Sequence, residues 1–152
     1  MASAQFDTFL SSPVSVFARL DVPRIPLTAK LSQVAAEYRN SLVHCVLLTN
    51  KEGKLAGLLD GNAISHMSEI KDTDTATAFD LLRLNSRPLV AVNVNGKMDE
   101  ALSVMNGDSR IDILPVITND GSPVGVISRT DLAFKSVASG ANVPNASVQF
   151  SA

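Results

Sequence analysis

The sequence predicts a chain of the α/β class, in its mixed α+β form, built from two copies of one small unit. Two apolar runs, Val43 to Leu48 and Ile113 to Ile117, lack polar alternation, as expected of strands covered on both faces. Each run is followed by a hairpin signal, Asn50-Lys-Glu-Gly53 or Asn119-Asp-Gly121, and then by a second apolar strand. The two copies keep register: Gly53 maps to Gly121 and Gly57 to Gly125, both at an offset of 68 residues. Duplication of this kind is an architectural signal, because one unit alone cannot bury its apolar face.

Ser12-Pro13, an N-cap followed by proline at the first helical position, predicts a short helix over 13–20. The first copy then reads Pro26-Leu-Thr-Ala-Lys-Leu31, a helix carrying Val34, Ala35 and Tyr38 at helical spacing, and the strands Ser41 to Thr49 and Lys54 to Asp60. The second reads Val94-Asn-Gly-Lys-Met98, a helix with Ala101, Leu102 and Met105, and the strands Ser109 to Thr118 and Ser122 to Ser128. Leu31 maps to Met98 at 67, so a one-residue gap lies between helix and strand. Residues 70–74 read as the connection, with Thr73 or Asp74 capping a helix that runs through Leu84. Repeats are expected over 12–70 and 71–138, followed by a turn-rich tail, 139–152, without a charged side chain and expected to be mobile.

Hydrophobic residues at 45% and charged residues at 18% describe a chain that buries a core rather than a disordered one. A net charge of −2 offers no basic face, so nucleic acid is not an expected partner. The lone Cys45 lies in an apolar strand and fits a reducing compartment. No apolar run approaches the ~18 residues of a membrane span, and no signal peptide is visible, so the expectation is a cytoplasmic protein.

Catalytic chemistry is not expected. His44 and His66 share no cysteine or carboxylate at metal-ligand spacing, and no phosphate loop, dinucleotide fingerprint or nucleophile elbow is present. His44 and Cys45 are neighbours in an extended run, so their side chains point apart and make a poor nucleophile–base pair.

The most informative stretch is Gly121 to Phe134, where the strand Val124 to Ile127 runs into Ser128-x-x-Asp131. A hydroxyl and a carboxylate on the first turn of a helix suit a polyhydroxyl or anionic ligand; they are also a capping box in all but the final residue type. The pattern Ile113-Leu-Pro-Val-Ile-x-x-x-Gly-x-x-Val-Gly-Val-Ile-Ser-Arg-Thr-Asp-Leu resembles the signature of the cystathionine-β-synthase (CBS) domain, which occurs in tandem as a Bateman module. The resemblance covers roughly residues 12–138. It departs in the first copy, where Leu47 stands for Pro115, Asp60 for Ser128 and Ala63 for Asp131.

The resemblance implies two β-α-β-β-α repeats packed about a pseudo-two-fold axis, with two clefts that take adenine-containing regulatory ligands: AMP, ADP, ATP or S-adenosylmethionine. Carried onto this sequence, Asp131 would hold the ribose. Val126, Ser128 and Thr130 would line that cleft, with Ile113 against the adenine. Val43, His44 and Leu27 would close it from the first repeat, with His44 or Arg129 toward phosphate; the alternative for His44 is a core histidine. The other cleft is expected to be empty, since Ala63 cannot accept from ribose and Asp60 and Asp112 repel phosphate. No tightly held cofactor or metal is implied, and self-association into a homodimer is expected. A structural dimerisation module with no nucleotide is the competing expectation.

Overall fold

The computed structural model describes residues 8–85 and 89–130. Two three-stranded sheets form the frame. In the first, β1 (Arg24–Pro26) runs parallel to β2 (Cys45–Thr49), which pairs antiparallel with β3 (Leu55–Asp60). In the second, β4 (Val92–Asn93), β5 (Ile113–Ile117) and β6 (Pro123–Ser128) repeat that order. The duplication extends to register. Cys45 faces Asp60 as Ile113 faces Ser128, Leu48 faces Gly57 as Val116 faces Gly125, and the irregularity at Leu48/Thr49 recurs at Val116/Ile117. Gly53 and Gly121 close the two hairpins at φ 77° and 90°, a region that L side chains rarely adopt.

Helices cover one side of each sheet. Residues 8–11 (α1) and Val14–Phe17 (α2) precede the first sheet. Leu31–Asn40 (α3) follows β1, and Gly61–Ser65 (α4) leaves β3 and continues into a 3₁₀ turn, His66–Glu69. Ala78–Leu84 (α5) and Met98–Gly107 (α6) follow in the second half of the sequence, and the backbone turns helical again at 129–130.

Two sequence expectations shift. The helix expected over 13–20 is only Val14–Phe17, because Pro13 is extended and the chain straightens at Ala18 to reach the second sheet. The helix ending at Leu84 is capped by Thr77 rather than Thr73 or Asp74. Thr77 and Asp80 form a reciprocal capping box in which the Thr77 N–H donates to Asp80 at 2.9 Å. The 139–152 tail lies outside the described residues.

The packing crosses between the copies. Phe9 and Val14 are buried with Val92, Met98, Met105, Leu114 and Ile127, the core of the second sheet. Ala76, Ala78 and Leu81 are buried with Ile25, Val34, Val46 and Leu59, the core of the first. Backbone bonds fix the exchange: Ala78 donates to Ala29 at 2.8 Å and Met98 to Ser12 at 2.9 Å. A third cluster, Val22, Val43, Cys45, Leu47 and Val126, joins the two sheets. At the hairpin end, Leu55 donates to Gly121 at 2.8 Å and Lys54 Nζ meets Asp120 at 2.9 Å.

Candidate functional site

The strand ends of each repeat face the other repeat and create two related positions between the sheets, one beside Ser128 and one beside Asp60. They have been built differently.

Beside Ser128 the 19–22 segment lies against β6. Arg19 and Val126 form an antiparallel bridge, with Arg19 N–H donating to Val126 at 2.8 Å and Val126 N–H to Arg19 at 3.0 Å. That bridge lays the chain over β6 and brings Val22 onto Val43 and Val126, all nearly or wholly out of solvent. Gly125 permits the approach, because a Cβ there would meet the Arg19 carbonyl. Ser128 is half-buried at the end of β6 and Thr130 is exposed on the helix start. Asp131 lies outside the described residues.

His44 is exposed and has φ 57°, a left-handed backbone that histidine adopts more readily than most non-glycine residues. The buried Ser41 hydroxyl accepts from Val43 and Cys45 N–H, both at 3.4 Å, and holds this loop. Its counterpart in the second repeat is Asp108, which accepts from Arg110 N–H at 3.0 Å, so the one-residue gap between the copies falls just after this point. The structure therefore places His44 at the surface and Cys45 in the core. Burial, then the nearby Asp60 charge, pushes the Cys45 thiol up to about 12.

Other residues named from the sequence take distinct places. Leu27 packs on the first-sheet core. Arg129 is buried and turns inward: its guanidinium donates to the carbonyls of Met105 at 2.7 Å and Asp108 at 3.2 Å and also to Ile111, closing the C-terminal end of α6. The Arg129 N–H donates to the Asp112 carbonyl at 2.7 Å. Ile113 is half-buried and lies on the wall of the other cleft.

Beside Asp60 there is open space. A cavity of about 170 Å³ lies between β3 of the first repeat and β5 of the second, closed on its third side by the end of α5 and by Leu89 and Val90. Over Gly57 stands the Leu82 side chain, where Gly125 carries backbone. Leu58, Ile113 and Pro115 supply apolar wall, and Asp60, Asp108, Arg110 and Asp112 the polar lining. Asp60 caps α4 by accepting from Ala63 N–H at 3.0 Å, and Ala63 itself is fully buried. Asp108 grips Arg110 through two bonds of 3.0 and 2.8 Å, which holds the guanidinium charged. The cleft expected to be the unused one thus holds a cavity among the described residues.

Among the described residues no His/Cys/Asp/Glu group is arranged to hold a metal, and no helix is long and apolar enough to cross a membrane.

Two sheets of parallel-then-antiparallel order, exchanged helices and facing strand ends define a tandem α/β repeat with inter-repeat clefts. Residues 75–137 match the family model of the CBS domain. An uncharacterized protein of Methanopyrus kandleri is 25% identical over 124 residues, spanning 80% of this chain; the chain spans 61% of that relative's length. Among solved structures, the CBS domain of a CBS-domain-containing membrane protein from Sphaerobacter thermophilus superposes with a TM-score of 0.70 at 17% identity, over 86% of this chain and 91% of that one. A CBS domain pair/ACT domain protein from Thermotoga maritima gives 0.67 at 16%, over 84% and 98%. The protein CbpB, solved in complex with c-di-AMP, gives 0.67 at 19%, over 91% and 92%. Residues 75–137 thus match the CBS domain, and the chain as a whole has the fold of a CBS domain pair.

Proposed function

We propose that the chain is a regulatory module, not a catalyst, that senses an adenine nucleotide of the AMP, ADP or ATP class, or S-adenosylmethionine, at the cleft beside Ser128. The observation that carries the reading is Ser128 at the mouth of β6, with helical backbone beginning at the next residue and Asp131 following in sequence. A hydroxyl and a carboxylate at that place suit ribose and phosphate oxygens. His44 adds weight, since an exposed non-glycine residue held at positive φ is the kind of local strain that collects at functional sites. The fold's kinship with a protein solved with c-di-AMP is consistent with an adenine ligand.

In the conformation described, entry requires Val22 and Arg19 to part from Val126. Binding is thereby coupled to movement of the 8–22 segment, which is the response a regulator needs. Calorimetric titration with AMP, ADP, ATP and S-adenosylmethionine tests the reading. The expected result is one nucleotide per chain, lost in Asp131→Ala with the fold intact. His44→Ala should weaken the nucleotides and leave adenosine unchanged. Absence of any nucleotide binding would leave a structural dimerisation module, a reading favoured by exposed Leu42 and Leu20.

A further inference from the structure

Solvent access divides the sulfur atoms of the described residues. Cys45, Met98 and Met105 are fully buried, whereas Met67 is half-buried on the wall of an open groove of about 580 Å³. We propose that Met67 is a modification site, where hydrogen peroxide converts the thioether to a sulfoxide and so loosens the His66–Glu69 turn from the first core. Met67 belongs to neither position between the sheets, so this chemistry is independent of the nucleotide reading.

The step needs no ionisation. A lone pair on Met67 Sδ attacks one peroxide oxygen, and the S–O bond forms as the O–O bond breaks. The second oxygen leaves as water, taking the proton of the first. Sulfur is oxidised to the sulfoxide and the peroxide is reduced to water. Cys45 does not compete: burial, then the Asp60 charge, pushes its thiol up to about 12, and the thiolate is the reactive form.

The groove accommodates the product. Lys30, Ser32 and Thr73 share its wall with Met67 and carry donors for a sulfoxide oxygen, whereas a thioether is only a weak acceptor. The cost falls on the other side. Met67 packs against the core that holds Ile25, Val34 and Leu59, and a polar group drawn toward Lys30 and Ser32 withdraws the side chain from that apolar contact. Ala76, Ala78 and Leu81 belong to the same core, so a loosened turn slackens one of the two exchanges that join the halves.

The test treats the full chain with dilute hydrogen peroxide at neutral pH, quenches with catalase, and follows oxygen uptake at each methionine by peptide mass spectrometry with fragmentation. Met67 should gain one oxygen at least about tenfold faster than Met98 and Met105, and the difference should vanish in denaturing urea. The oxidised protein should melt about 2–6 °C lower than the untreated one. Met67→Leu keeps apolar packing without the thioether, so peroxide should leave its Tm unmoved. Native Met67 oxidised no faster than Met98 or Met105 would overturn the site. Selective oxidation of Met67 with an unchanged Tm would overturn the loosening, and a peroxide-induced Tm loss that persists in Met67→Leu would overturn it by placing the damage elsewhere.

Discussion

Gly125 and Gly57 occupy the same place in the two repeats, and replacing each by alanine should have very different consequences. At Gly125 a Cβ meets the backbone of Arg19, with the carbonyl carbon at 2.9 Å and the oxygen closer still. Backbone cannot rotate out of the way, so the Arg19–Val126 bridge must open. That sacrifices two hydrogen bonds of 2.8 and 3.0 Å, worth about 1 kcal/mol each. Displacing the segment adds an overpacking cost of about 1–3 kcal/mol. Lower entropy of the unfolded alanine chain returns about 0.4–1 kcal/mol. The net expectation is a loss of about 2–5 kcal/mol. At Gly57 the atoms met are the methyls of Leu82, at 2.7 and 2.8 Å. A side chain can change rotamer for about 0.5–1.5 kcal/mol, and the entropy return offsets much of it, leaving a loss of 1 kcal/mol or less, roughly. Urea unfolding followed by circular dichroism measures both, provided the slopes match. Equal losses, or a larger loss at Gly57, would refute the assignment of Arg19 as a strand partner of β6.

Further expectations follow from single contacts. Arg129→Ala should destabilise by about 2–4 kcal/mol in chemical unfolding, since it orphans carbonyls at the end of α6; a near-neutral effect with lost nucleotide affinity would return Arg129 to the ligand. Asp120 is held below the usual carboxylate range by the Thr118 hydroxyl, then by Lys54 and the Ser122 N–H. Its contribution is therefore complete above the ordinary carboxylate pKa and is lost as pH falls below it, so Asp120→Asn should flatten the acid limb of Tm against pH; an unchanged limb would count against the contact. Cys45, raised to about 12, should resist alkylation at pH 8 until the chain unfolds, as read by mass spectrometry over time; rapid labelling of the native protein would show that the inter-sheet cluster opens.

Much of this fold could be read in the residues because it rests on local signals. The uninterrupted apolar runs around Leu48 and Val116 announced buried strands, and two hairpin glycines at a constant offset announced the duplication. The sequence places the α5 cap too early, at Thr73 or Asp74, because these residues have the same cap chemistry as Thr77 and only packing chooses between them. The exchange of Val14 and Ala78 between cores depends on contacts far apart in sequence, which periodicity does not encode. The candidate site divides along the same line. Charge differences between Ser128 and Asp60, or His44 and Asp112, were legible. What covers each strand glycine was not, since Leu82 reaches Gly57 and Arg19 reaches Gly125 from distant parts of the chain. Val126 is likewise an alternation-perfect cleft residue by sequence and a sealed core residue in space.

The Arg19–Val126 bridge also makes the beginning of the described chain a mechanical handle. Tension applied ahead of Thr8 would pass through Phe9 and Val14 into the second repeat, and through Arg19 onto an edge strand over a hundred residues away, before β1 felt it. Separating the halves at residue 70 would strip Phe9 and Val14 from the second core and Ala76, Ala78 and Leu81 from the first. Closing loops of that length also slows folding. Whatever pulls on the chain ahead of Thr8 therefore acts first on the far repeat.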